Sequence, residues 1–367
     1  MRVLHVITGL ERGGAERQLA LLCSLRPESS MVFSLREPGA MAWELDAAGV
    51  ALASGGARRA LSAAWVAPLR RAVRRWRPDV VMGWVYHGNL AASLTRAFGF
   101  RGPLFWNVRH SVACLADERR ATRAVIRLGA RFSGMPRGIV YNSAVAAAQH
   151  EALGYRAAGR VVIANGFDTE RFRPAGERRA SLRRELGLAE DAWLLGVVGR
   201  AHPMKNHGGW LDALVALRAA GRSVHCLMVG TGVDDPAFAA EVRARGLEGV
   251  VTLRPAMAAP ETLYSGLDLL VLPSRWGEAF PNVVGEAMAC GVPALVTDVG
   301  DAATVVGETG FVAADATPEA LAAATASALD IGRGGLARRG AAARERVVAR
   351  FSEARTVAHY QQLWQGG

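Results

Sequence analysis

The stretch LDLLVLPSRWGEAFPNVVGEAMACGVP (Leu267–Pro293) reads as one strand, one loop and one helix. LDLLVLP is a short continuous apolar run, the pattern of a parallel strand buried on both faces. From Asn282 the periodicity turns helical, with Val283, Val284, Ala287 and Met288 on one face. Pro281 suits a first helical turn, where a missing N–H costs nothing. Gly291 and Pro293 end the helix. Two carboxylates mark the stretch: Glu278 in the loop after the strand and Glu286 about one turn into the helix. The backbone N–H groups around Phe280, Pro281, Asn282 and Val283 form a helix start suited to a phosphate or a sugar oxygen. On these residues alone, Glu278 and Glu286 read either as an acid/base pair or as acceptors for hydroxyl groups.

Outward from this unit, strand and helix alternate along the whole chain. Strands are expected at Arg2–Ile7, Met31–Leu35, Val50–Ala53, Asp79–Trp84, Leu104–Asn107, Gly138–Tyr141 and Val161–Ala164. A second series follows at Trp193–Gly199, Val224–Val229, Val250–Leu253, Leu267–Leu272 and Ala294–Thr297. Such alternation predicts parallel, doubly wound α/β sheets. The polar, turn-rich ANGFDTERFRP (Ala164–Pro174) marks the boundary between the two series. The tail, Leu336–Trp364, is two helical segments broken near Phe351-Ser352, and Tyr360, Leu363 and Trp364 could pack back on the first domain. In doubly wound sheets ligands sit at the carboxyl ends of the strands, which predicts a site in the cleft between the domains.

The 367 residues are 51% apolar and 21% charged, a globular composition long enough for two cores. No run approaches the roughly 18 apolar residues of a membrane-crossing helix. MRVLHVITGL lacks a cleavage site and reads as a first strand rather than a leader. Four scattered cysteines without a CxxC spacing read as free thiols of a reducing compartment, and no metal-ligand spacing stands out. The charge is unevenly spread: residues 1–172 hold 24 Arg against 12 Asp and Glu, while residues 173–367 hold 20 Lys and Arg against 21 Asp and Glu. The basic half favours an anionic partner such as a membrane surface or a lipid phosphate. Two helices concentrate it. Ala60–Trp76 carries Trp65, Leu69, Val73 and Trp76 beside Arg70, Arg71, Arg74 and Arg75. Glu118–Phe132 mixes arginines with Val125, Ile126, Leu128 and Phe132. Each reads either as a solvated helix with a core stripe or as a basic surface lying on anionic lipid. Nucleic acid is disfavoured, because the aromatics do not interleave with the arginines.

Cations stand at strand ends. GRAHPMKNH follows Trp193–Gly199 and places Arg200 and Lys205 before a helix, where a pyrophosphate would be held. Lys205 is the single lysine in a chain of 43 arginines, a compact ammonium where a guanidinium is otherwise the rule. His202 and His207 flank it in a supporting role. His110, in Arg109-His110-Ser111 after Leu104–Asn107, is a candidate for a sugar or acid/base contact. Gly13-Gly14 opens a helix after the first strand, as a phosphate-binding turn does, though the spacing is not that of a dinucleotide fingerprint.

Together GGAER (Gly13–Arg17), RH (Arg109-His110), YNS (Tyr141–Ser143), ANGFD (Ala164–Asp168), GRAHPMKNH (Gly199–His207), VGTG (Val229–Gly232) and GEAFPNVVGEAMACGVP (Gly277–Pro293) resemble the retaining glycosyltransferases of family 4. The resemblance implies a GT-B fold of two Rossmann-like domains: 1–168 on the acceptor side, 169–345 binding the nucleotide sugar, and 346–367 as a helix returning to the first domain. It implies a metal-independent retaining hexosyltransferase with no cofactor beyond a nucleotide-sugar co-substrate, UDP- or GDP-linked. The acceptor would be a glycan or a polyprenyl-diphosphate-linked sugar, in cell-surface polysaccharide or glycolipid synthesis. The protein would then be cytoplasmic and peripheral at the inner membrane face. By the same resemblance Gly13 and Gly14 approach the donor pyrophosphate, and Arg200 and Lys205 neutralise the leaving diphosphate. Glu286 accepts ribose hydroxyls. Glu278 and the backbone of Phe280–Asn282 hold the donor sugar, His110 lies by its anomeric carbon, and Arg254 contacts the base through backbone atoms. Two positions depart from the family: Ala164 stands where Pro is frequent, and Ala279 where many members have Gly. Against the cations, the two glutamates read as hydroxyl acceptors. A sugar-nucleotide epimerase or phosphorylase-like transferase of the same fold, and a basic nucleic-acid-binding protein, are the competing readings.

Overall fold

The computed structural model describes every residue except Arg12, Arg59, Ala60, Leu61, Ala258 and Gly367. The chain forms two compact units, Met1–Gly166 with Glu353–Gly367, and Phe167–Ser352. It crosses after Gly166 and again after Ser352, against the expected 168 and 345. The second crossing comes late because the helix Gly332–Phe351 continues to Phe351, whose ring meets Phe280 edge-on at 5.3 Å.

The first unit holds β1 (Val3–Ile7), β2 (Ser30–Arg36), β3 (Ala51–Ala57), β4 (Val80–Trp84), β5 (Leu104–Val108), β6 (Gly138–Tyr141) and β7 (Arg160–Val162). All pairs are parallel, in the order β3-β2-β1-β4-β5-β6-β7. The inner strands β1, β4 and β5 are buried at every position, which is why they read as unbroken apolar runs. Side chains still alternate. Val3 and Ile7 of β1 join the core on one face, with Leu19, Leu22, Met82 and Phe105. Leu4 and Val6 join the other, with Phe33, Leu69, Val73 and Val81. The terminal helix Glu353–Gln365 closes the first of these cores through Val357, Tyr360 and Trp364.

The second unit holds β8 (Trp193–Val198), β9 (Val224–Val229), β10 (Val251–Arg254), β11 (Leu269–Leu272), β12 (Ala294–Thr297) and β13 (Phe311–Ala313). These too are all parallel, in the order β10-β9-β8-β11-β12-β13. Two doubly wound sheets are the architecture the alternation predicts. The edge strand β13 is the one the sequence reading lacks, since three residues carry no usable period. In both sheets the direction of winding reverses beside the first strand, between β1 and β4 and between β8 and β11. The carboxyl ends of strands at such a reversal open a crevice that the connections leave uncovered.

The two basic helices differ. Ala60 and Leu61 of the expected Ala60–Trp76 lie outside the described residues; the helix runs Val66–Trp76 behind a 3₁₀ turn at Ala63–Trp65. Leu69 and Val73 are buried, Trp65 and Trp76 pack against them, and the four arginines are exposed: a solvated helix with a core stripe. The helix Arg120–Phe132 buries Val125 and Ile126 but leaves Leu128 48% and Phe132 40% exposed, with Met135 just beyond at 44%. Its apolar residues therefore do not form one core stripe, and part of them shares the surface with Arg127 and Arg131. Cys23, Cys226 and Cys290 are buried free thiols and Cys114 is exposed. Among the described residues no helix is long and apolar enough to cross a membrane.

Candidate functional site

The residues of the second unit converge at the reversal of its sheet. Beyond β8 the chain makes a 3₁₀ turn, Pro203–Lys205, and Asn206 in the left-handed region (φ 54°) launches the helix His207–Ala219. Beyond β11 it enters the loop Pro273–Pro281. The Arg275 N–H donates to the Met204 carbonyl at 2.8 Å, binding turn to loop. Lys205 and Glu278 therefore meet: Nζ lies 2.5 Å from Oε1, with side chains only 15% and 9% exposed. Ser274, wholly buried, donates its hydroxyl to the same Oε1 at 2.6 Å. Its own carbonyl accepts the Thr297 hydroxyl at 2.6 Å. This chain of bonds fixes the Glu278 carboxylate from β11 and β12 together. Gly300 closes the loop from behind: its φ is 63°, and a Cβ there would sit 2.0 Å from the Glu278 carbonyl oxygen.

Glu286 is 3% exposed on the helix Asn282–Ala289 and accepts the Tyr264 hydroxyl on Oε2 at 2.7 Å. Pro281 proves to be the residue before the helix (φ −75°, ψ 111°) rather than part of its first turn, so Asn282 and Val283 open it, both half-buried. Phe280 is buried and stacks on Phe167 at 6.3 Å. Gly285 makes room for that ring, since a Cβ would lie 2.1 Å from it. Arg200 is exposed, with Nη2 3.9 Å from the Met204 sulfur. His207 donates Nε2–H to the Gly199 carbonyl at 3.3 Å; burial first, and the Lys205 charge second, lower its pKa to about 4. His202 accepts the Met204 N–H. Both histidines thus shape the lysine's turn. Arg254 ends β10 with its guanidinium on Glu185 at 3.0 Å and its carbonyl accepting the Gly230 N–H.

Gly13, Gly14 and His110 belong to the first unit. Gly13 precedes the helix Gly14–Ser24 with extended backbone (φ −152°), so no left-handed turn demands a glycine. A Cβ there would meet the Glu16 carboxylate, the movable end of a flexible side chain, so space does not demand a glycine either. Burial raises the pKa of that carboxyl. Arg109 turns inward, onto Asn165, the Tyr360 hydroxyl and the face of Trp84. His110 follows β5, and its Nε2 lies 2.6 Å from Glu118 Oε1. Ser111 Oγ and the Val112 N–H both donate to Gln149 Oε1, which pins the loop. Tyr86 packs edge-on against His110, with ring centroids 6.2 Å apart.

Ser274, Thr297, Tyr264, Tyr86 and Glu118 escape a reading of the sequence. Ser274 and Thr297 adjoin buried strands and look like their ends; Tyr264 looks like core. Only Glu118, an acid in an arginine-rich run, carries a visible hint. Among the described residues no three His, Cys, Asp or Glu side chains gather into a metal-binding group.

Known proteins share both halves. The family described as Glycosyltransferase Family 4 matches residues 12–171, and that described as Glycosyl transferases group 1 matches residues 193–330. D-inositol 3-phosphate glycosyltransferase of Rhodococcus erythropolis is 37% identical over 178 residues, 45% of this chain and 39% of that protein. Lipopolysaccharide core biosynthesis mannosyltransferase LpsB of Rhizobium meliloti is 30% identical over 196 residues, 51% of this chain and 55% of that one. The matches thus span from about two fifths to just over half of these relatives. HepE of Anabaena, solved in complex with UDP-glucose, superposes with a TM-score of 0.86 at 21% identity, over 100% of both chains. The fold is GT-B, and the chain, matched half by half, belongs to the family 4, group 1 glycosyltransferases.

Proposed function

We propose that this glycosyltransferase moves a hexose from a nucleotide sugar to a glycan or a polyprenyl-diphosphate-linked acceptor, with retention of configuration and without a metal. The observation that carries the reading is the Lys205–Glu278 pair at the reversal of the second sheet. A cation and a carboxylate in contact match a ligand whose anionic diphosphate adjoins a sugar rich in hydroxyls. Lys205, with Arg200, takes the diphosphate; Glu278 and the start of the helix at Phe280, Pro281, Asn282 and Val283 take the sugar; Glu286 takes the ribose; Arg254 lies by the base through its backbone. Gly13 and Gly14 approach the diphosphate from the first unit's helix start. UDP is the favoured carrier, since HepE was solved with UDP-glucose.

Cleavage of the glycosidic bond leaves positive charge on the sugar ring and negative charge on the diphosphate. Fixed cations aimed at the diphosphate stabilise that separation more than the ground state, the service a metal gives elsewhere. The acceptor hydroxyl attacks from the face the diphosphate leaves, and the diphosphate takes its proton. A covalent glycosyl-enzyme trapped on a side chain would overturn this mechanism.

The surface of Leu128, Phe132 and Met135 among Arg127 and Arg131 supports an acceptor reached at an anionic membrane surface. The deciding experiment is a thermal-shift and hydrolysis screen across UDP-, GDP-, ADP- and dTDP-sugars. One class should both stabilise the protein and be turned over to the free nucleoside diphosphate. Conversion of a nucleotide sugar to its epimer without an acceptor, or no response to any donor, would overturn the proposal.

A further inference from the structure

We infer that Glu118 is a positioning residue for His110: its carboxylate accepts the Nε2–H bond and thereby leaves Nδ1 as the ring nitrogen that can meet a sugar hydroxyl. This rests on the proposed role of His110 beside the donor sugar and adds the partner that fixes it.

The geometry comes from four elements. Glu118 ends the 3₁₀ turn Leu115–Asp117 and reaches back to Nε2 at 2.6 Å. The hydrogen bond from His110 holds the Glu118 carboxyl below the usual carboxylate range, so Glu118 is an anion and can only accept. The proton between them belongs to Nε2. Tyr86 stands perpendicular to the imidazole and limits its rotation about the side-chain bonds. Tyr86 is itself fixed. His150 must donate Nδ1–H to the Ala146 carbonyl, at 2.7 Å, so its Nε2 accepts the Tyr86 hydroxyl, at 2.8 Å. Burial lowers the His150 pKa to about 4, which keeps this arrangement neutral. Gln149 clamps the backbone at Ser111 and Val112.

The start of this scaffold is strained. Val85, directly after β4 at the reversal of the first sheet, has φ 54°, a left-handed conformation that costs a β-branched residue about 1–3 kcal/mol. That conformation begins the helix Val85–Ser93, which carries Tyr86. A helix begun in this costly way ends with its first aromatic ring against His110. Sites whose geometry must be exact tolerate such strain, whereas a surface ion pair has no need of it.

The test is imidazole NMR on the full chain with ¹⁵N-labelled histidine, the His110 signals assigned with His110→Gln. The native protein should show a low-field, hydrogen-bonded N–H resonance coupled to Nε2. Glu118→Gln should move it upfield and Glu118→Asp should restore it in part, with the remaining histidine signals unchanged as proof of folding. An unaltered resonance in Glu118→Gln would overturn the inference. With UDP-glucose as probe donor, Glu118→Gln should lower kcat about tenfold and leave KM within about twofold, and the double variant with His110→Gln should be no slower than His110→Gln alone. Additive losses would mean that Glu118 acts independently, also against the inference. The spectrum needs no substrate, so if the donor screen fails the proposed function falls while the spectrum still decides whether Glu118 holds His110.

Discussion

The two units share an architecture and hold their polar groups in opposite ways. In the second, Lys205 and Glu278 leave adjacent strands and meet at once, and Glu278 finds Ser274 four residues away in its own loop. In the first, His110 is held by Tyr86 and Glu118, and the loop after it by Gln149, all drawn from three further elements. The buried polar groups of this unit include two histidines. His5 sits wholly buried in β1, accepting the Trp84 indole N–H, and His150 is buried beneath Tyr86. One unit brings its charges to a strand end; the other builds a neutral polar interior from distant parts of the chain. The buried neutral histidines make the first unit the more sensitive to acid.

That contrast gives the largest expected effect. Burial holds the His5 pKa at about 3 and that of His150 at about 4, below the unfolded value of 6.5. Both are neutral in the fold and protonate on unfolding in mild acid. Their stability contribution is complete above pH 6.5 and is lost as pH falls towards the folded values. At pH 5 each group costs roughly 2 kcal/mol, at about 1.4 kcal/mol per pH unit below the unfolded pKa. In the second unit the His207 pKa, lowered to about 4 by burial, follows the same logic, and burial lowers that of His225 as well. Hydrogen exchange at pH 5 and pH 7, corrected for intrinsic rates, should show strands β1, β4 and β6 losing more protection than β8, β11 and β12. Equal losses in both sheets would erase the distinction.

The next effect tests the local arrangement. Lys205→Ala should lower kcat at least about 10²-fold, the loss expected on removing one positioned charge stabiliser. It also leaves Glu278 with Ser274 but without its cation, so Lys205→Arg, which keeps the charge but loses the compact ammonium, should recover only part of the rate. Near-normal turnover by Lys205→Ala would take the pair out of the chemistry.

The same locality explains what the sequence disclosed. A buried parallel strand followed by a loop and a helix lies within one continuous stretch, so Leu267–Pro293 displays its pattern whole, and Glu278 and Glu286 stand out in it. Lys205 was conspicuous because every other basic side chain is Arg. What stayed hidden depends on folding. Thr297 bonds Ser274 across 23 residues, Tyr264 meets Glu286 across 22, and His150 meets Tyr86 across 64. The left-handed Val85 breaks the preference of its residue type, so nothing in the sequence announces it. At Gly13 neither the extended backbone nor the nearby Glu16 carboxylate, which can swing aside, requires a glycine.

Tyr264→Phe probes a support of the second unit without touching its charges. It removes the hydroxyl that Glu286 accepts while keeping a ring that lies 6.2 Å from Phe172. A hydrogen bond to a carboxylate contributes about 1.5 kcal/mol, so donor KM should rise about tenfold. On the proposed ribose role of Glu286 the interaction concerns binding rather than the separating charge, so kcat should stay nearly constant. A fall in kcat at constant KM would place Glu286 at the reacting centre, and the acid/base reading of the two glutamates would return.

The smallest effect belongs to the surface of the first unit. A basic residue near an anionic membrane contributes about 1 kcal/mol, so Arg127→Gln should weaken binding to phosphatidylglycerol vesicles about fivefold in sedimentation at low salt. Leu128→Ser should weaken it by a comparable factor through lost apolar insertion, but that loss should persist in high salt while the effect of Arg127 fades as the Debye length shrinks. Arg74→Gln, on the helix whose apolar residues are spent on the core, provides the contrast within the same unit. If all three variants behave alike, binding follows net charge alone and the exposed Leu128 and Phe132 have no part in it. If Arg127 and Leu128 matter and Arg74 does not, the apolar residues left out of the core by the helix Arg120–Phe132 define a face, and the excess arginine of the first unit has a direction as well as a sum.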